Sequence, residues 1–324
     1  MTKQTPSFDD VKELANRYSN WGRWGEDDQM GTLNFVTEAT VRAGSAEVRE
    51  GRVVSMGLPY DQNGPQTGGL RRFNPIHFML RDGNDAITGA AIRDFYDGKD
   101  GHMAGADDVV IMPLQSGTQW DALSHIIFEG KIYNGYPADL VSSGGARKND
   151  VTVGCTKAVG RGVLLDIARL KQVDALEPGT GISSQDLRDA EKFHGVQVQQ
   201  GDFVFVRTGQ LGACQAKGSW GDYAGGAAPG LNLDSVRWMA EKEIAGVITD
   251  TWGMEVRPNE TPDVTQPLHI VCLVHMGLWI GEIFDLEEVA TVAQELGRAT
   301  FFFSGPPLPF TGAVGSPLMP LAIF

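Results

Sequence analysis

A set of short apolar runs, interleaved with helical patterns, narrows what this chain can fold into. Gly162-Val163-Leu164-Leu165-Asp166-Ile167 has the length and branching of a buried strand. Asp202-Phe203-Val204-Phe205-Val206-Arg207-Thr208-Gly209 is another, ending in charge and glycine. Ile244 to Ile248 reads as a strand reaching Thr249-Asp250-Thr251, and Ile280-Gly281-Glu282-Ile283-Phe284 as a strand or turn. Between and after these runs, helices are predicted over Ser183–His194, Asp234–Glu243, Pro267–Met276 and Leu286–Leu296. Phe301-Phe302-Phe303 opens an apolar, proline-rich end with one more strand. Strands and helices are mixed rather than strictly alternating, which predicts α/β with a mixed sheet.

The first half has the same mixture. Phe8, Val11, Leu14, Ala15 and Tyr18 fall at helical spacing, with Ser7 and Asp10 as an N-cap pair. Asn20 to Asn34 holds Trp21 and Trp24 among glycines. It reads equally as a pocket rim, a subunit contact or an arm capping the core. A helix over Thr37–Glu50 and a strand over Arg52–Leu58 follow, then a Gly, Pro and Gln loop from Asp61 to Arg72. Asn74 to Leu80 gives a strand starting at Pro75. Gly98 to Asp108 gives a loop holding His102, and Val109 to Leu114 a short buried strand weakened by Pro113. No internal repeat and no linker divides residues 1–324, so one domain is expected, with 1–36 as an N-terminal arm.

Charge removes some function classes. With 41 acidic against 27 basic residues, the net charge of −14 disfavours nucleic acid and anionic membrane surfaces as partners. No apolar stretch reaches the roughly 18 residues of a membrane span, and residues 1–10 lack the apolar core of a signal peptide. The three cysteines, Cys155, Cys214 and Cys272, form no CxxC pair, so a reducing, cytoplasmic setting is expected.

The densest chemistry lies in Gln115-Ser116-Gly117-Thr118-Gln119-Trp120-Asp121-Ala122-Leu123-Ser124-His125. Polar groups recur at 115, 119, 121 and 125, and Gly117 permits a close backbone turn. Two amides, a carboxylate and an imidazole can converge there on one point. Of the six histidines, His125 is the best general acid/base, since imidazole titrates near neutral pH.

This stretch resembles the metal-binding signature of the cyclase family of metal-dependent hydrolases, which includes bacterial kynurenine formamidase and isatin hydrolase. That signature runs His-x-Gly-Thr-His-x-Asp-x-Pro-x-His. Gly117, Thr118, Asp121 and His125 match it, while Gln115 and Gln119 replace histidines and Leu123 replaces the proline. The Trp-rich arm is similar to that of a longer branch of the family, which carries Gln in its GTQWD stretch. His269 through Gly281-Glu282-Ile283-Phe284-Asp285-Leu286 resembles a second signature, whose His and Glu complete the metal site. The resemblance implies a mixed sheet curling into a barrel-like core flanked by helices. It also implies Gln115, Gln119, Asp121, His269 and Glu282 as metal ligands.

Other candidates stay open between two roles. His77 either faces the pocket or packs, and Asp250 is either an orienting group or a cap. Trp120 and the Trp21/Trp24 arm are candidate aromatic walls for a flat substrate. His275, His102 and His194 are expected outside the site. The amide oxygens of Gln115 and Gln119, with two carboxylates, make an oxygen-rich donor set that suits Mn²⁺ better than Zn²⁺. A pocket that has dispensed with metal is the alternative. The expected activity is hydrolysis of a small amide or cyclic amide, of aryl formamide or lactam type, with His125 moving protons. Its rivals are a lactone hydrolase, a metal-free lyase using His125 and Asp121 as acid and base, and a silent binder of small molecules. Planar or cyclic substrates and a homodimer or homotetramer complete the expectations.

Overall fold

The computed structural model describes residues 5–90 and 103–324; His102 and the start of its loop lie outside them. Nine strands form the main sheet: β1 (Val53–Ser55), β2 (Gln119–Asp121), β3 (Val159–Asp166), β4 (Phe203–Arg207), β5 (Gly246–Thr249), β6 (Trp279–Glu282), β7 (Thr300–Ser304), β8 (Gly315–Pro317) and β9 (Leu321–Ile323). Their order is β1-β9-β7-β3-β4-β5-β6-β2-β8. The central strands β3 to β6 run parallel, and the strands on both sides pair antiparallel. The mixed α/β sheet curls into a half-barrel flanked by helices.

The parallel strands are the apolar runs of the sequence. Val163 to Leu165, Phe203 to Val206 and Val247-Ile248 are buried throughout, as expected for strands covered on both faces. Aromatic rings fill the interior. Trp120 meets Phe203, Trp279, Phe284 and Phe303 at centroid distances of 5.9–6.2 Å. Gly162 makes room for this cluster, because a Cβ there would lie 2.2 Å from the Phe301 ring.

Six helices of eight or more residues are present among the described residues: α1 (Phe8–Arg17), α2 (Glu38–Ser45), α3 (Ser184–Phe193), α4 (Gln210–Lys217), α5 (Ser235–Lys242) and α6 (Glu287–Leu296). The Ser7–Asp10 and Ser183–Asp186 pairs are reciprocal capping boxes on α1 and α3. Helix α2 stops short of the expected Glu50, since Glu47 turns inward to accept from Thr300 Oγ1 at 2.9 Å and Arg298 Nη1 at 3.2 Å. Pro267–His269 forms one α-turn that continues as a fully buried π-helix, Ile270–Met276.

Val109 to Leu114 corrects the sequence expectation of a buried strand. Asp107–Ile111 pairs antiparallel with Ile76–Arg81 in a separate two-stranded ribbon, leaving Val110 51% and Ile111 50% exposed. A short apolar run has the same pattern whether a core or an open ribbon receives it. Among the described residues, no helix is long and apolar enough to cross a membrane. All three cysteines are free thiols, and Cys272 is buried in the π-helix.

Candidate active site

The pairing of β2 with β6 sets the site. Glu282 lies opposite Gln119, Gly281 opposite Trp120 and Ile280 opposite Asp121. Because side chains alternate along a strand, Gln119, Asp121 and Glu282 share one face while Trp120 takes the other. Thr118 locks the entry to β2: its hydroxyl donates to Ile283 O at 2.6 Å and accepts from Leu58 N at 2.9 Å. Gly117 lets the Tyr60 ring approach so closely that a Cβ would lie 2.8 Å from it, and Tyr60 OH donates to Thr118 O.

The helix led by Pro267 brings His269 to the same face. Ligand atoms of Asp121, His269 and Glu282, all buried, lie within 4.8 Å of one another. His269 Nδ1 is 2.5 Å from Glu255 Oε1, and its Nε2 is 3.1 Å from Glu282 Oε1. Burial opposes charge on this imidazole, but the hydrogen bonds with Glu255 and Glu282 outweigh it and raise its pKa to about 10. Burial also raises the pKa of Asp121, with His125 opposing and Glu282 reinforcing the shift. The pKa of Glu282 is lowered instead; burial works against this, but the His269 bond prevails.

These residues open onto a cavity of about 410 Å³ lined also by Arg71, Arg72, Gln115, His125, Trp252 and Gln266. His125 Nε2 stands 3.9 Å from Asp121 Oδ1 and 3.5 Å from Arg72 Nη2. Gln119 lies behind, donating to Glu282 Oε2 at 3.0 Å and Asp121 Oδ1 at 3.3 Å, while its buried Oε1 has no partner. Backbone strain gathers here. Leu70, Arg71 and Gln266 on the cavity wall and Ile283 after β6 all have φ between 52° and 62°. Each costs about 1–3 kcal/mol, a pattern typical of functional sites.

The donor set fits a divalent cation. Asp121 and Glu282 supply charged oxygens, and Glu255 accepts from His269 Nδ1–H, so that Nε2 would be the ligand atom once the proton it shares with Glu282 gives way to the ion. Gln119 Oε1 is a buried neutral oxygen without a partner, on the amide whose nitrogen faces the two carboxylates. Of the five residues proposed as ligands from sequence, Asp121, His269 and Glu282 bring ligand atoms together, Gln119 hydrogen-bonds two of them, and Gln115 lines the same cavity.

Four other candidates belong elsewhere. Trp120 is fully buried in the aromatic core, its indole nitrogen donating to Gly305 O at 2.7 Å, so it is no substrate wall. His77 sits on the exposed ribbon with Asp108 2.8 Å from its Nε2. Trp24 packs edge-on against Phe35 at 5.2 Å, and Trp21 stacks on His275 at 5.1 Å while donating to Val274 O. The arm therefore fastens the far end of the π-helix instead of rimming the cavity. Asp250 accepts from Thr208 N and Oγ1 and Gly209 N at 2.6–2.8 Å, which makes it a cap; burial still raises its pKa to about 6.

Glu255, Arg72 and Trp252 also belong to the site and carry no signal in the sequence. Glu255 and Trp252 follow β5 in a segment that returns to the site only through the fold, and Arg72 closes the Asp61–Arg72 loop. No local spacing signals any of them.

The cyclase family model, described as "Putative cyclase", matches residues 31–256. The crystal structure of a novel cyclase is 34% identical, covers 96% of this chain and 99% of its own, and superposes with a TM-score of 0.84. Isatin hydrolase A from Ralstonia solanacearum is 19% identical over 88% of this chain and 97% of its own, with a TM-score of 0.61. An isatin hydrolase bound to the product analogue thioisatinate is 17% identical over 89% and 99%, with a TM-score of 0.59. At these identities the two hydrolases share the fold. None of the curated proteins matches the chain.

Proposed function

Since the chain belongs to the cyclase family, we propose that it is a metal-dependent hydrolase acting on the carbon–nitrogen bond of a small amide or cyclic amide, of aryl formamide or lactam type. The observation that carries this is the meeting of Asp121, His269 and Glu282 within 4.8 Å on the wall of a cavity shared with His125. The isatin hydrolases of the same fold lend support. Asp121, His269, Glu282 and the two glutamines would hold a divalent ion, which would supply Lewis acidity toward water and the scissile carbonyl. Mn²⁺ is favoured over Zn²⁺ because oxygen outnumbers nitrogen in the set. His125 takes a proton from water as its oxygen bonds the carbonyl carbon, then returns it to the departing nitrogen as the C–N bond breaks. Asp121, with Oδ1 3.9 Å from Nε2, places a carboxylate beside that imidazole. Glu255 holds His269 in one tautomer. A planar or cyclic substrate suits the Trp252 wall, and a lactone would serve the same attack.

One observation favours a second, metal-free class. Gln119 donates to both Asp121 and Glu282, so an amide already bridges the two carboxylates. A lyase using His125 and Asp121, or a silent binder, needs no more than this. Three free thiols and the absence of a spanning helix among the described residues support a cytoplasmic setting. The exposed apolar ribbon supports a homodimer or homotetramer.

The test is elemental analysis of protein purified without added metal and again after incubation with Mn²⁺ or Zn²⁺. About one ion per chain, lost in Asp121→Ala, is expected, together with chelator-sensitive turnover in an amide and lactam screen. No bound metal under either condition would move the metal-free class ahead.

A further inference from the structure

Two adjacent arginines stand on the cavity wall with no carboxylate in ion-pair contact, although the Arg72 charge acts on Asp121 and Glu282 from farther off. Arg71 and Arg72 both line the cavity, and neither forms an ion pair with any described residue. The carboxylates of the site are otherwise engaged. Glu255 and Glu282 bond His269, and Asp121 is bonded by Gln119 beside His125. Arg72 is held in place from two sides: its guanidinium lies 5.2 Å over the Trp252 ring, and Nη2 is 3.5 Å from His125 Nε2. Trp252 is itself fixed by its indole N–H to Gln66 Oε1 at 3.2 Å, and Arg257 approaches the same ring at 5.9 Å. The backbone at Leu70 and Arg71 is left-handed, with φ of 52° and 62°.

The half-buried Arg72 guanidinium gives up hydration while Arg71 beside it is exposed, and the planar fork of each matches a carboxylate better than any neutral group. We propose that Arg71 and Arg72 form an anion clamp that selects substrates carrying a carboxylate beside the face of Trp252. The clamp rests on the cavity being the substrate site, and it deepens that assignment by naming a charge the substrate must bear.

Binding tests it without turnover. Benzoate and benzyl alcohol present the same ring with and without the anion and contain no bond for the enzyme to hydrolyse. Isothermal titration of the full chain, once with Mn²⁺ and once with chelator, gives the ratio of their affinities in each variant. Benzoate should bind at least about tenfold more tightly to the wild type. Arg72→Gln should bring the ratio toward unity, Arg71→Gln should lower it partway, and Arg72→Lys should retain part of it. A disturbance of the whole fold weakens both ligands and leaves the ratio unmoved; thermal melts of each variant check folding separately. Equal binding by the wild type, or a ratio that neither glutamine variant changes, overturns the clamp. A preference that requires Mn²⁺ and ignores both arginines also overturns it, because the carboxylate is then on the ion. If the hydrolase assignment fails instead, these ratios still read the clamp on their own.

Discussion

Changing Glu255 to Gln keeps the shape behind His269 and removes the charge. The carboxylate accepts from the imidazole Nδ1–H and from the backbone of Leu268 and His269. With the charge gone, Nε2 becomes a poorer donor, and the Mn²⁺ affinity measured by titration should fall about 10- to 100-fold. An unchanged affinity would mean that His269 is not a ligand. At this scale the sequence was legible unevenly. Asp121 and His125 stand close together in one stretch, and His269 and Glu282 are recognisable through resemblance to a family signature. Glu255 and Arg72 are silent in sequence, because a buried partner or a wall residue is chosen by distance in space, and nothing near it in the chain records that choice.

The sequence around Trp120 holds element-scale information that its polar neighbours mask. Gln119, Trp120 and Asp121 look like a polar loop, and in a loop all three could face one pocket. They are the whole of β2, and the period of two sends the indole to the opposite side. Trp120→Ala should therefore cost about 3–5 kcal/mol of stability in denaturant unfolding. If the variant instead keeps wild-type stability and loses only substrate affinity, the indole is a pocket wall after all. The parallel strands were easier, since runs such as Phe203 to Val206 are apolar on both faces and have few other uses. The ribbon was harder for the same reason, because apolar residues alone do not say what covers them.

The ribbon matters again for the whole molecule. Ile76, Phe78, Leu80, Val110 and Ile111 are all close to half exposed or more, and a two-stranded ribbon is marginal on its own. Light scattering should give a mass of two or four chains; a species at the 35.0 kDa of one chain would remove the homo-oligomer proposal. The strand order has a further effect, on biosynthesis. Strand β1 is made first but pairs only with β9, and β2 pairs only with β6 and β8, all from late in the chain. On the ribosome, Gln119 to Asp121 therefore wait as an unpaired edge until residues 279–282 and 315–317 emerge. Throughout that wait they are open to mispairing with other nascent chains. The residues that would hold the metal acquire fixed positions only after residues 279–282 have been made, so chains stalled before them would carry the sticky edge and none of the chemistry.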